Sequence, residues 1–242
     1  MVWFLLALTL AQDPRCTSDG AALVRAASER AAAFDLVGAA ERLRTAVDAG
    51  CADAQPSSVY LRGLLAARAA YRFGGSPESL APVRAAIDVL KSGARGASAP
   101  EEIAGFVLQA AAAASQSERD ELSLMIEHAV QLEAVRLSAG LPGAPIVTAH
   151  EAAGDLWLQV HRYEDARRAY LRAAERVGAT PLITLGLART ATRLKDVAAA
   201  CVEYRTLATA WKRPGTEPPE ITEARAFLRE PACRDSSAPR RP

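Results

Sequence analysis

Aromatic side chains are scarce in this 242-residue chain, at 5% of all residues. A β-sheet protein of this size needs more Val, Ile, Thr and aromatic side chains than the chain supplies. Half of the residues are nevertheless hydrophobic, and alanine is the most frequent of them. Because alanine is the best helix former and lets helix backbones approach closely, the composition predicts an all-α fold with a sizeable buried core.

An excess of charge of one sign is also missing, since the formal net charge is +1. No segment combines clustered Lys and Arg with interleaved aromatic side chains, which is the pattern of a nucleic-acid-binding groove. We therefore expect no nucleic-acid partner.

Long hydrophobic runs are absent as well. The longest apolar run follows Met1 and covers about ten residues, whereas a membrane-spanning helix needs about 20. Thr9 and Ala11 place small residues before Gln12, as a signal-peptidase site requires. The pattern predicts a signal peptide over residues 1–11, a periplasmic or secreted protein, and no stable membrane insertion after cleavage. A buried first helix or a misassigned start site are the alternatives.

Residues that carry chemistry are few. Of the three histidines, His150 begins a His-Glu-x-x sequence, but Gly154 stands where a second zinc ligand is needed. Phosphate-binding, dinucleotide-binding and nucleophile-elbow motifs are absent. Glu101 and Glu102 follow Pro100, where a helix dipole favours acidic residues without any catalytic role. We expect no catalytic residue, no metal and no cofactor.

Hydrophobic periodicity and breaker residues instead predict five pairs of helices and one last helix. The pairs are 19–33 with 36–49, 57–73 with 77–91, 100–114 with 118–139, 145–160 with 163–177, and 181–194 with 196–211; the last helix is 219–229. The expected organisation is a signal peptide, hairpins over 12–144, regular repeats over 145–213, a linker and capping helix over 214–234, and a disordered tail over 235–242.

A 34-residue period links the fourth and fifth pairs. It relates Gly154 to Ala188, Ala166 to Ala200, Tyr170 to Tyr204, and Ala173 to Leu207. With Trp157 at a packing position, these residues resemble the small and aromatic positions of the tetratricopeptide repeat family, clearly over about 147–211 and only in degenerate form elsewhere.

The resemblance implies a right-handed stack of about five helical hairpins, a TPR-like α-solenoid with a C-terminal capping helix. It implies a non-enzymatic scaffold or adaptor that binds a protein or peptide partner on a concave surface. The alternatives are a regulatory or substrate-handling subunit of an envelope enzyme system, or a highly divergent hydrolase.

Four cysteines are spaced without a C-x-x-C motif, and their even number in an exported chain predicts disulfides. Cys16 precedes the first helix of a hairpin and Cys51 follows the second, so this pair closes the open end. Cys201 and Cys233 come to similar heights if the last helix folds back. Four buried free thiols are the alternative.

The family likeness further implies a groove lined by the first helices of the fourth and fifth pairs. Its residues would be Glu151, Asp155, Leu158, Gln159, Leu185, Arg189, Thr192 and Arg193. Arg189 and Arg193 lie one turn apart and would hold a partner's carboxylate. The favoured alternative is a salt bridge between Asp155 and Arg189, which occupy equivalent positions in neighbouring repeats.

Overall fold

The structure, a computed structural model, describes residues 18–93, 99–212 and 217–235. This part of the chain contains twelve α-helices, a short 3-10 helix at Ala52–Ala54, and no β-strand. The helices are α1 (Ser18–Ala31), α2 (Leu36–Asp48), α3 (Gln55–Arg72), α4 (Pro77–Gly93), α5 (Pro100–Ser115), α6 (Arg119–Ser138), α7 (Ala149–Gln159), α8 (Tyr163–Val177), α9 (Pro181–Arg193), α10 (Val197–Ala210), α11 (Pro219–Leu228) and α12 (Pro231–Asp235). The all-α prediction is therefore confirmed. No described helix is both long enough and apolar enough to span a bilayer.

All five predicted hairpins are present with related turns, and only the second differs in detail, because its N–H donor Gly75 itself has a positive φ and follows Gly74 at 70°. Two residues before each second helix, the backbone takes a φ between 61° and 67°, at Phe34, Gly75, Ser117, His161 and Lys195. In each turn a backbone N–H reaches the carbonyl five residues earlier at 2.8–3.0 Å: Asp35 to Arg30, Gly75 to Ala70, Glu118 to Ala113, Arg162 to Trp157, and Asp196 to Ala191. This hydrogen bond is the Schellman arrangement that satisfies a helix C-terminus. The repetition extends to the first three hairpins, where the sequence period is not visible.

Helix α5 lies at the centre of the first four hairpins. It packs on α3 and α4 on one side and on α6 and α7 on the other. Almost its whole length is buried or half-buried, because a run of five alanines and the apolar side chains before it let neighbouring helices pack closely. At Gly63 in α3, an added Cβ would stand 2.6 Å from the Leu108 side chain of α5.

Contacts between α3 and residues 147–159 join two helices that both pack on α5. The Tyr60 hydroxyl donates to the Val147 carbonyl at 3.0 Å, and the Tyr71 hydroxyl donates to the Gln159 carbonyl at 2.8 Å. Between these two contacts, Arg68 pairs with Asp155 at 2.6 Å. An open groove is therefore not available between these helices.

Tyr170 of α8 is fully buried and fills the space between α7 and α9. A Cβ added at Gly154 would lie 2.5 Å from its ring, and one at Gly186 would lie 2.2 Å from it. The two glycines let three helices converge on one aromatic ring. Close contact with Tyr170 therefore explains why the 34-residue period has a small residue at position 154.

Substituting Gly186 with alanine should lower the free energy of unfolding by about 1–3 kcal/mol, because the buried Tyr170 ring must move. The matched control is Gly105→Ala in α5, where the added Cβ meets no atom within 4 Å apart from the nearby backbone of its own helix. This control should be neutral, or more stable by roughly 0.5–1 kcal/mol through helix propensity. Urea denaturation of both variants checks the pair, and an equal response would contradict the packing described around Tyr170.

The C-terminal helices continue the repeat. Glu223 of α11 lies 34 residues after Arg189, and α11 packs on α10 as the first helix of a further hairpin would. Cys201 and Cys233 form a disulfide between α10 and α12, with Cα atoms 5.5 Å apart, which is the predicted pairing. The Trp211 ring lies 6.0 Å from the Phe34 ring, so the turn between α1 and α2 touches the end of the fifth hairpin.

Two details differ from the sequence prediction, and three expectations lie outside the described residues. Helix α7 begins at Ala149 rather than at residue 145, because the Thr148 side chain caps it through the Glu151 N–H. The short helix α12 adds a second helix to the predicted capping segment and extends to Asp235, the first residue of the predicted disordered tail. The signal peptide, Cys16 of the Cys16–Cys51 pair, and the tail from residue 236 onward belong to the undescribed segments. Cys51 itself, which follows α2 in the chain, is buried.

Candidate functional site

The eight residues of the predicted groove do not form one open surface. Glu151 and Leu185 are buried; Asp155, Leu158, Gln159 and Arg189 are half-buried; Thr192 and Arg193 are exposed. Two of them already have partners on α3. The Tyr71 hydroxyl donates a hydrogen bond to the Gln159 carbonyl, and Arg68 pairs with the Asp155 carboxylate.

The predicted salt bridge between Asp155 and Arg189 is wrong. Asp155 accepts hydrogen bonds from Arg68 and from the Tyr170 hydroxyl. Arg189 instead contacts both carboxylate oxygens of Glu223, at distances from 2.6 to 3.2 Å. Asp155, Arg189 and Glu223 follow one another at the 34-residue spacing. Arg189 forms its ion pair with Glu223, one repeat later, and not with Asp155, one repeat earlier.

The predicted arginine pair is accordingly not a free carboxylate-binding site. Glu223 already supplies the carboxylate for Arg189 and also accepts a hydrogen bond from the Tyr204 hydroxyl at 2.7 Å. Although burial opposes ionisation of Glu223, hydrogen bonds from Arg189 and Tyr204 lower its pKa overall. This contact fixes α11 to the fifth hairpin.

Glu151 lies at the bridged side of α7, beside Asp155 and Arg68. Its carboxyl group has no hydrogen-bond partner among the described residues, and burial together with the Asp155 charge raises its pKa to about 8. A buried carboxyl group with this pKa is protonated at neutral pH, so the α3–α7 contact tolerates it as a neutral group.

A cavity lies on the other side of α7, lined by His150, Ala153 and Trp157 of that helix. It measures about 480 Å³ and is walled by α6 and α8, with one face of α7 as its floor. We call this cavity the α6–α8 cleft. Its volume is within the range of protein sites that bind small ligands or short peptide segments.

Arginine dominates the walls of the α6–α8 cleft. Arg162 and Arg168 share Asp165, which lies between them on the first turn of α8. Arg119 at the start of α6 and Arg172 on α8 form no ion pair with any described residue. Asp120 and Glu127 add negative charge on α6, and apolar contact area comes from five residues: Ile126, Val130, Ala153, Trp157 and Ala169.

Trp157 forms part of the floor and is half-buried, in contact with the cores on both sides of α7. The Arg162 guanidinium lies 5.8 Å from the centre of its ring. This cation–π contact holds Arg162 over the floor, with its charge facing Asp165. The tryptophan therefore has the packing role that its repeat position predicts, and its edge also lines the cleft.

Glu133 and His150 form a buried pair beneath the cleft. Glu133 is fully buried in α6, and its carboxylate is hydrogen-bonded to His150 Nδ1 at 2.6 Å. The carboxylate also accepts hydrogen bonds from the backbone N–H groups of Ala144, Ala149 and His150 at 2.8–3.0 Å. Burial opposes its ionisation, but these four hydrogen bonds lower the Glu133 pKa overall.

Sequence reasoning missed Glu133, although a signal was present. Glu133 extends a stripe of buried residues at helical spacing on α6, Leu122, Ile126 and Ala129. A charged residue at the next position of such a stripe is buried, and a buried charge needs a dedicated partner. The helix N-terminus of α7 supplies that partner.

The described residues contain no group of three or more His, Cys, Asp or Glu side chains placed to hold a metal ion. Comparison of the chain with protein-family models, with curated proteins and with solved structures finds no match.

Proposed function

We propose that this chain is a non-enzymatic, TPR-like helical-hairpin adaptor, exported to the periplasm or secreted, that binds an acidic segment of a protein partner in the α6–α8 cleft. The observation that carries the proposal is the pair Arg119 and Arg172. Both face a cavity of about 480 Å³ and have no ion partner in the described part of the chain.

Arginine chemistry favours an acidic ligand. A guanidinium group presents a planar fork of N–H donors that matches a carboxylate, and the resulting charge-assisted hydrogen bonds are about twice as strong as neutral ones. Arg162 and Arg168 are half neutralised because they share one carboxylate, Asp165. A ligand carboxylate therefore meets more positive than negative charge at the walls.

The floor favours a peptide over a bare anion. Ile126, Val130 and Trp157 offer apolar area between the two charged walls. A segment with acidic side chains on either side of an apolar one pairs its charges with the walls and buries the apolar group on the floor. Such a mixture of apolar contact and few polar anchors is typical of ligand sites.

Export is supported by the disulfide between Cys201 and Cys233, because disulfides persist in oxidising compartments. Residues 1–11 also contain an apolar run that ends with the small residues Thr9 and Ala11, as a signal-peptidase site requires.

The proposal is tested with three fluorescein-labelled heptapeptides that differ only at two positions, which carry Glu, Gln or Lys. Fluorescence anisotropy should show binding of the Glu peptide and none of the Lys peptide. Arg119→Ala and Arg172→Ala should each weaken binding of the Glu peptide about tenfold, because each removes a charge-assisted contact. Added salt should weaken it too.

Arg176→Ala is the matched control. It removes the same charge from α8, is exposed, and does not line the cleft. Its affinity for the Glu peptide should equal that of the unmodified protein. Absence of binding by the Glu peptide, or equal losses for Arg172→Ala and Arg176→Ala, would overturn the cleft as the binding site.

A further inference from the structure

The carboxylate of Glu133 is saturated with N–H donors. Its Oε1 accepts the N–H groups of Ala144 and Ala149, and its Oε2 accepts the N–H and the ring Nδ1 of His150. A protonated carboxyl group would direct its O–H at one of these donors, and three of the four are backbone amides that cannot accept it. Glu133 is therefore an anion, and the proton of the fourth contact belongs to His150.

This arrangement determines the tautomer of His150. The Nδ1 of the ring carries the hydrogen that is donated to Glu133, so in the neutral imidazole the other nitrogen, Nε2, carries a lone pair and accepts hydrogen bonds. A carboxylate on one ring nitrogen commonly orients a histidine for a task at the other nitrogen.

The Nε2 atom faces the α6–α8 cleft. His150 lines the cleft, although only 3% of its side-chain surface is exposed. No described residue bonds Nε2, and the described part of the chain has one sealed polar side-chain atom without a partner, which is Thr190 Oγ1. Since Nε2 is neither bonded nor sealed, it opens into the cavity.

We infer that His150 Nε2 is a specificity-determining acceptor on the floor of the cleft, selecting acidic segments that also carry a hydroxyl donor, a Ser or Thr side chain. The inference rests on the proposed function and adds to it. The arginine side chains of the walls are donors only, so they select for acidic groups and cannot accept a hydrogen bond from a neighbouring hydroxyl. The floor supplies the complementary atom, and a ligand that covers Nε2 without offering it a donor leaves the acceptor unmatched, which is costly.

The tautomer can be measured without any ligand. In ¹⁵N-labelled protein at pH 8, at which an imidazole is ordinarily neutral, long-range ¹H–¹⁵N correlation should show His150 with a protonated Nδ1 and a bare Nε2. His128 and His161 in the same spectrum are internal references, because neither contacts a buried carboxylate. A protonated Nε2 on His150 would overturn the inference.

Specificity is measured with a thermodynamic cycle that combines one change in the peptide with one change in the protein. Two acidic heptapeptides that differ by Ser or Ala between the Glu positions are titrated against the unmodified protein and against His150→Leu, which removes the ring acceptor and leaves Glu133 its three backbone N–H donors. The Ser peptide should bind the unmodified protein about fivefold more tightly, the value of one hydrogen bond. The two peptides should bind His150→Leu equally, because its side chain has no hydrogen-bond acceptor. A merely structural role of His150 would weaken both peptides alike and leave their ratio unchanged.

The outcomes separate the two proposals. Equal binding of the Ser and Ala peptides to the unmodified protein would overturn the role of His150 and leave the acidic-segment site standing. Absence of binding by both peptides would overturn the proposed function and this inference together. If His150→Leu fails to fold, as judged by circular dichroism, the tautomer and the Ser-to-Ala ratio on the unmodified protein still decide the question.

Discussion

Glu133→Ala should lower the free energy of unfolding by about 3–5 kcal/mol, the range observed when one partner of a buried charged pair is removed. The substitution leaves three backbone N–H groups and the His150 Nδ1 without an acceptor in a site that water does not reach. Because 1 kcal/mol shifts the melting temperature of a domain of this size by roughly 2–4 °C, a loss of about 10 °C is expected.

The matched control for this prediction is Glu121→Ala on the same helix. Glu121 is exposed near the start of α6, and surface substitutions of this kind usually change stability by no more than about 0.5 kcal/mol. Urea denaturation compares the two variants with the unmodified protein. If Glu133→Ala costs as little as Glu121→Ala, then Glu133 does not anchor α7 to α6.

Glu151→Gln should remove a pH dependence of stability that the unmodified protein shows between about pH 5 and pH 8. Burial raises the pKa of Glu151 in the folded protein to about 8, whereas an unfolded glutamate titrates near its ordinary value of about 4.3. Between these values the folded state binds more protons than the unfolded state. Stability is therefore highest below the lower value and falls as the pH rises through the window.

The slope reaches at most about 1.4 kcal/mol per pH unit. The unmodified protein and Glu151→Gln should have similar stability at pH 5, and the variant should be the more stable one by several kcal/mol at pH 8.5. Denaturant unfolding at pH 5, 7 and 8.5 measures the difference, with Glu175→Gln on the exposed face of α8 as a control that leaves it unchanged. Parallel pH curves for the unmodified protein and Glu151→Gln would refute the buried, unpartnered carboxyl group.

Local features of the fold are readable from the sequence because their causes are local. Helix periodicity, breaker residues and turn residues lie within one hairpin, and the helices begin and end close to the predicted positions. The 34-residue period also identifies Gly154 and Tyr170 as contact positions, and the structure places the glycine against the ring. The start of α7 is misplaced because the Thr148 cap competes with Pro145, and both are plausible helix-start residues.

The candidate site is less predictable, because its contacts join residues far apart in the chain. Arg68 and Asp155 are separated by 87 residues, and neither lies in a motif. Glu223 was within reach of sequence reasoning, since it continues the series of Asp155 and Arg189 at the same spacing. The α6–α8 cleft depends on how far the second helices of two hairpins diverge, and no local pattern encodes that distance.

Titration of ¹⁵N-labelled protein with the Glu heptapeptide, followed by amide chemical shifts, tests the binding site most directly. The largest changes should map to the walls and floor of the α6–α8 cleft, at Arg119, Ser123, Trp157 and Arg172. The face that carries Thr192 and Arg193 should remain unchanged. Changes confined to that face, or no saturable change anywhere, would contradict an acidic-segment site between α6 and α8.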